Sequence, residues 1–335
     1  MAATDAGAAP SPHDVVEREA ASRPRAGLAA LAAAVLAVVA GVLPQAIYSN
    51  FPHVYVLESL RAAAGENIGR PGLRTAQILF IDDHAASLLV VAVCQGLTSL
   101  LIGYLLIFLY DASVARGAST PRMARLLALL GGLGSALSAV VLQIAVMISA
   151  SDFASSPDHG TAAAHDALRG GVVVAASGVG FFGSISLAAA FVLIAIGAMR
   201  TGLLTRFLGV LGAIVGALIL LGPISGSPTF IVQAFWLAMT GALLLGRWPT
   251  GVPPAWSTGE AAPWPSQQEL REQREAQRGG RDGGSAGGGG LLNRGRRAAA
   301  GAAPARVPSH GEPDSPSLTE PPSPATSARK KRKRR

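Results

Sequence analysis

Four histidines, three of them next to aspartates, are the side chains whose types could do chemistry in this chain. They are His53, His84 (after Asp82 and Asp83), His159 (after Asp158) and His165 (before Asp166). Imidazole and carboxylate groups are natural ligands of divalent metals, and such a site can keep an open position for catalysis. Their spacing matches neither HExxH nor another established signature. The simpler interpretation is that they are water-facing loop residues, so we predict no catalytic residue, no cofactor and no metal site.

Other motifs of enzymes are missing from the sequence. The one cysteine, Cys94, excludes an intrachain disulfide framework and a zinc site built from cysteines. There is no serine nucleophile elbow and no P-loop. The glycine-rich run 283–290 follows no strand, so it is not a phosphate-binding loop.

The elements that carry these residues are defined by long stretches without charge. Half of the 335 residues are apolar, 14% are charged and the mean hydropathy is +0.40, whereas about 25% of the residues of a soluble domain are charged. A bilayer core about 30 Å thick needs about 20 apolar residues in a helix. We predict an all-α polytopic membrane protein with six transmembrane helices. They are expected at about 26–47, 85–109, 126–149, 171–199, 202–221 and 229–246.

The charges divide the chain into three parts: a disordered leader (1–25), a six-span membrane domain (26–246) and a largely disordered basic tail (247–335). The tail has 16 Lys or Arg against 8 acids, which accounts for the whole net charge of +8. Arginines concentrate in the leader, in the loop 110–125 and around residues 200–206. Because Lys and Arg favour the cytoplasmic side, we expect a multi-pass protein of the cell membrane with both termini in the cytoplasm.

Polar residues at membrane depth are uncharged. No span has Asp, Glu, Lys or Arg at its centre, which argues against a proton- or ion-coupled pump and leaves open a carrier of neutral solutes. Gln95 and Gln143 are the strongest polar residues at depth. They either join helices by hydrogen bonds or line a small polar cavity.

Small residues and the loop 48–84 give further local predictions. Gly212 and Gly216 form a GxxxG pair, which allows close helix packing within one bundle or in a helix–helix dimer. In the loop, residues 54–64 have the apolar spacing of an amphipathic helix on the outer surface, capped by Gly65. A second helix is expected to run from Leu73 straight into the second span.

The tail begins with tryptophans at 248, 256 and 264, which either lie along the bilayer interface or belong to a proline-rich docking segment. Residues 279–335 lack apolar periodicity and are predicted to be disordered. Residues 329–335 are all Lys or Arg. They either keep the tail solubilised in the cytoplasm or contact anionic lipid, and no specific nucleic acid is expected.

One run, from Arg200 to Gly209, reads Arg-Thr-Gly-Leu-Leu-Thr-Arg-Phe-Leu-Gly. It resembles the start of the fifth span in a family of uncharacterised six-span bacterial membrane proteins, where the run reads Gly-Leu-Leu-Pro-Arg-Trp-Leu-Gly. Here Thr205 replaces the proline and Phe207 replaces the tryptophan. The Pro-Pro-Ala-Trp and Trp-Pro segments of the tail are similar to those of uncharacterised actinobacterial membrane proteins. The resemblance implies six spans and no particular activity.

Three functions remain open at this point. The first expectation is a non-enzymatic membrane scaffold or accessory protein, in contact with the lipid bilayer. The alternative is a small neutral-solute permease, which a polar cavity at Gln95 and Gln143 would favour. The second alternative is a metalloenzyme of the extracytoplasmic face. Close convergence of four side chains would favour it, namely His53, Asp83, His84 and either His159 or His165.

Overall fold

A computed structural model describes residues 11–51, 57, 60–61, 64–65, 72–225, 229–249, 251–264, 269 and 271–272. Its helices are α1 (Pro12–Tyr48), α2 (Leu73–Asp83), α3 (Ala85–Ala115), α4 (Met123–Ser155), α5 (Thr161–Ala167), α6 (Gly171–Arg200), α7 (Arg206–Ser225), α8 (Thr229–Leu244) and α9 (Ala255–Thr258). These residues contain no strand. The prediction of an all-α fold is therefore confirmed.

Four helices, α1, α3, α4 and α6, are long and apolar enough to cross a membrane, and α7 and α8 contain shorter apolar helices. The exposed surface of these helices is rich in large apolar side chains; Phe182 is 70% exposed and Leu137 is 62% exposed. Water would not tolerate such a surface, but lipid does. The molecule is therefore a helical membrane protein.

The six apolar helices form a closed ring. In ring order, α1 packs on α3, α3 on α4, α4 on α6, α6 on α7, α7 on α8, and α8 returns to α1. Small residues allow the close approaches: Gly103 of α3 lies against Gly132 of α4, where an added Cβ would be 3.2 Å from the facing Cα. We call the end of the ring at which α1 begins the base.

The base half has a tightly packed apolar core. Ala26, Ala30 and Ala33 of α1 are fully buried there, because their small side chains let the neighbouring helices approach. The larger side chains Phe191 and Trp236 fill the centre with their ring centroids 5.0 Å apart, and both are fully buried. This core closes the ring toward the base.

The leader differs from its prediction. Residues 12–25 were expected to be disordered, but they form the first turns of α1. Ser11 caps the helix in a capping box with Asp14, and hydrogen bonds from the Ser11 side chain and backbone hold the pKa of the Asp14 carboxyl below its usual value. Further along, Arg23 Nε donates to the Leu244 carbonyl at 2.9 Å. The polar leader forms a helix that is held by hydrogen bonds to another helix, such as the bond from Arg23 to Leu244. The sequence of the leader alone does not indicate such partners.

The opposite end is covered on one side by the two short helices, α2 and α5. Ile78 and Phe80 of α2 are buried against α3 and α4 together with Phe153 and Ala164. The predicted continuous helix from Leu73 is wrong in one respect, because the backbone breaks at His84 (φ −112°) between α2 and α3.

The predicted amphipathic helix 54–64 lies mostly outside the described residues. Of its described positions, Leu57 and Leu60 are helical and exposed, and Gly65 has φ +84°. A left-handed glycine at this point fits the predicted cap.

The fifth apolar stretch begins later than its predicted start at 202. Gly202 has φ +77° and belongs to a turn, and α7 starts at Arg206 and continues to Ser225. Gly212 faces Ala195 and the Trp236 indole, within the same ring. These contacts match the prediction of packing within one bundle.

The chain divides into two compact units, Met1–Gln267 and Gln268–Arg335. At the start of the predicted tail, residues 251–264 belong to the first unit and pack on its base. The Trp256 side chain is 3% exposed, so it is buried in the protein and does not lie along the bilayer interface. Residues 279–335, with the basic cluster 329–335, lie outside the described residues.

Candidate functional site

A partly open cavity of about 560 Å³, with both apolar and polar side chains in its wall, lies in the half of the ring away from the base. All six apolar helices contribute to its wall. Its polar lining consists of hydroxyls and amides: Gln95, Thr98, Ser99, Ser135, Ser138, Ser177, Ser184, Thr229 and Gln233. Among the residues that the structure describes, no ionisable side chain lines it. A space of this size and chemistry suits a small uncharged molecule that can form hydrogen bonds.

Small residues create the space. Ala37, Ala40 and Gly41 of α1 and Gly180 of α6 belong to the wall, and none of these small side chains fills the centre. At the base half, large side chains occupy the corresponding volume. The cavity ends at Leu187, which lines it and also belongs to the buried core.

The two glutamines singled out by the sequence behave differently. Gln95 lines the cavity, whereas Gln143 does not. The Gln143 Nε2 atom is buried without a hydrogen-bond partner in the described part of the chain. The described residues thus give no hydrogen bond by which either amide joins two helices, and the cavity interpretation holds for Gln95 alone.

One hydroxyl of the lining is buried and unsatisfied. Among the described residues, the Ser135 Oγ has no hydrogen-bond partner. A buried polar atom without a partner costs about 1–3 kcal/mol. Because this oxygen is closed to the cavity, the cost belongs to the packing of α4 against its neighbours and not to solute binding.

A second constellation lies at the base, around the buried side chain of Arg116. Its Nη1 and Nη2 donate to the two carboxylate oxygens of Glu19 at 2.6 and 2.7 Å, and its Nε donates to the Ala255 carbonyl at 2.9 Å. The Arg116 side chain is 0% exposed and that of Glu19 is 12% exposed. This bidentate pair joins α1, α3 and the segment after α8.

Tryptophans of the tail complete the base. The guanidinium carbons of Arg23 and Arg116 lie over the Trp256 ring, at 5.1 and 5.2 Å from its centroid. The Trp256 indole donates to the Leu203 carbonyl at 2.9 Å, and the Trp264 indole donates to the Leu204 carbonyl at 3.0 Å. The tail therefore binds the turn between α6 and α7 that the sequence resemblance singled out. We interpret this cluster as structural, because the charged groups of Arg116 and Glu19 bind each other.

The histidines do not form a metal centre in the part of the chain that the structure describes, where no group of three His, Cys, Asp or Glu side chains could hold an ion. The His84 ring stacks on Phe80 with centroids 4.1 Å apart, and His159 packs edge-on against Phe153. His53 lies outside the described residues. The metalloenzyme hypothesis gains no support from these contacts.

Sequence reasoning missed the serines of the cavity and the whole base cluster. The serines of the wall lie on α3, α4 and α6, and only their position around one centre in the folded ring reveals the cavity. Arg116 was counted as a loop arginine, and Glu19 is one of four acids in a leader that has three arginines, so neither charge stands out in the sequence. Comparisons with models of protein families, with curated proteins and with solved structures found no match to this chain.

Proposed function

We propose that the chain is a non-enzymatic, six-span protein of the cell membrane that binds a small neutral polar solute and lets it pass. The cavity carries the proposal: all six helices contribute to its wall, four of them supply its hydroxyl and amide side chains, and no described residue of the wall is charged. Binding sites of small molecules are concave spaces of about 300–1,000 Å³ with a few polar groups that fix orientation. The lack of charge in the wall favours neutral solutes over ions, since a buried ion needs a counter-charge.

The topology belongs to the same proposal. The lengths of α1, α3, α4 and α6 support four crossings, and the shorter apolar helices of α7 and α8 supply two more because they complete the ring. Arginines at the base, at positions such as Arg122, Arg125 and Arg200, support a cytoplasmic base with both termini on that side. The cavity then opens in the half of the bilayer that faces away from the cytoplasm.

Reporter fusions test the topology. A reporter that works only in the cytoplasm should be active after Gly117 and after Trp264, and inactive after Arg169. Activity at Arg169, or inactivity at Trp264, would contradict the six-span arrangement.

Solute uptake tests the function itself. The full chain reconstituted in liposomes should take up radiolabelled neutral solutes faster than protein-free liposomes do. Gln233→Leu, in the cavity wall, should reduce the uptake about fivefold or more because one amide partner is lost. Gln45→Leu is the matched control, since Gln45 is exposed on α1 outside the wall. No uptake above the protein-free background, or equal uptake by the two variants, would contradict permeation through the cavity.

The second candidate is a non-enzymatic scaffold or accessory protein that presents its tail at the base. It is favoured by the docking of residues 251–264 through Trp256 and Trp264. Contact of the basic cluster 329–335 with anionic lipid, and a helix–helix dimer, belong to this candidate. If no neutral solute is taken up and truncation after Trp264 abolishes recruitment of anionic vesicles to the purified protein, the scaffold is the better account.

A further inference from the structure

The cavity wall has more hydrogen-bond acceptors than donors to offer. Four of its hydroxyls share one property, namely that each already donates its proton to a backbone carbonyl at 2.7–3.0 Å. They are Thr98 (to Cys94), Ser99 (to Gln95), Ser138 (to Ala176) and Ser177 (to Val173). A hydroxyl has one proton and two lone pairs. These four groups can therefore only accept further hydrogen bonds.

The remaining polar groups do not reverse this balance. The amides of Gln95 and Gln233 bring donors and acceptors in equal measure. The hydroxyls of Ser184 and Thr229 each bring one proton and two lone pairs, whereas the Ser135 oxygen is buried in the wall. No Lys, Arg or His is among the described residues of the wall. A solute that only accepts hydrogen bonds would leave the four committed hydroxyls unmatched, whereas a solute with several donors would match them.

From this balance we infer that the solute is a small uncharged polyol, a molecule with several hydroxyl donors. The inference rests on the proposed function and specifies its substrate class. A cation would also be attracted to acceptors, but the wall holds no carboxylate to offset the loss of its hydration. A polyol donates one proton per hydroxyl and keeps its own acceptors for the amide N–H groups of the glutamines.

The class of solute is tested by measuring how far each candidate protects a single cysteine in the cavity from a thiol reagent. The reporter is Ala139→Cys in a Cys94→Ala background, because Ala139 lines the cavity and contributes no polar side chain. The rate of its reaction with a small water-soluble thiol reagent is measured on the purified full chain. Erythritol, with four hydroxyl donors, is compared with diethylene glycol dimethyl ether, which has three acceptors and no donor, and with potassium chloride.

We expect erythritol to slow the reaction in a saturable way and the ether and the salt to leave it unchanged. Equal or better protection by the ether would overturn the inference and leave the proposed function standing, because the cavity would still bind a neutral solute. Protection by potassium alone would overturn both. If neither neutral solute protects, then the cavity binds neither class and both proposals fail.

A pair of isosteric variants adds the acceptor test. Thr98→Val removes a committed hydroxyl from the wall and should weaken protection by erythritol about fivefold. Thr240→Val is the control, because the Thr240 Oγ1 is buried outside the wall with no partner among the described residues. Equal loss of protection in the two variants would assign the effect to general packing and overturn the acceptor argument.

Discussion

The two halves of the helix ring are built from the same helices, yet they differ in what fills their centres. Toward the base, the centre holds Trp236, Phe191 and several leucines that are fully buried, and the tail closes it from below. In the other half, small and hydroxylated residues leave a cavity of about 560 Å³. The comparison teaches that the packed base can hold the ring together while the other half keeps a cavity.

The strongest test of this contrast removes the buried ion pair of the base. Arg116→Met should destabilise the protein by about 3–5 kcal/mol, because it leaves the Glu19 carboxylate without its partner in a largely buried place. Thermal unfolding in detergent measures the effect. The matched control is Arg125→Met, whose ion pair with Asp111 is 58% and 53% exposed and contributes no more than about 1 kcal/mol. Similar melting temperatures for the two variants would contradict the claim that the buried ion pair of the base stabilises the protein more than an exposed ion pair does.

The docked tail provides the next largest effect. Trp256→Ala should lower the free energy of unfolding by up to about 5 kcal/mol, because it removes a buried ring and the hydrogen bond to the Leu203 carbonyl. The variant should also expose residues 251–264 to protease, which mass spectrometry of the fragments detects. Trp264→Ala is the comparison and should cost less, because Trp264 is 38% exposed. A Trp256 variant with wild-type protease resistance would show that the segment does not depend on this side chain.

Helix packing at the base gives a smaller effect. Gly212→Leu should lower the stability by about 1–3 kcal/mol, because an added side chain meets Ala195 and the Trp236 indole within 3 Å. Gly178→Leu is the control, since nothing lies within 4 Å of the position of its Cβ. Equal stabilities in a thermal assay would place Gly212 on the lipid-facing surface.

The smallest effect on stability is expected in the cavity wall. Ser135→Ala removes a buried hydroxyl that has no partner in the described chain, so the melting temperature should stay the same or rise slightly. A clear loss of stability would show that the wall, like the base, is needed to hold the ring together.

Much of the helical framework could be predicted from the sequence, because uninterrupted apolar windows leave few alternatives in a membrane. The windows 85–109, 126–149 and 171–199 all lie within observed helices. The start of α7 was misplaced by four residues, since a glycine at φ +77° in an apolar run carries no local signal that distinguishes a turn from a helix.

The site was harder to predict because it depends on partners distant in the sequence. Gln95 was identified as a polar residue at depth, but its cavity requires serines from two other helices, Ser135 and Ser177. Glu19 and Arg116 are 97 positions apart, and each alone is typical of a solvated charge. No local pattern indicates that such groups meet.

The central claim is that the half away from the base holds a solute-accessible polar cavity, and thiol labelling tests it most directly. Ala139→Cys and Ala128→Cys lie on the same helix, one in the cavity wall and one fully buried in the base core. In a Cys94→Ala background, a membrane-impermeant maleimide added outside intact cells should label the cysteine at 139 rapidly and leave the cysteine at 128 unlabelled. Equal labelling of both positions, or of neither, would contradict an outward-facing cavity above a closed base.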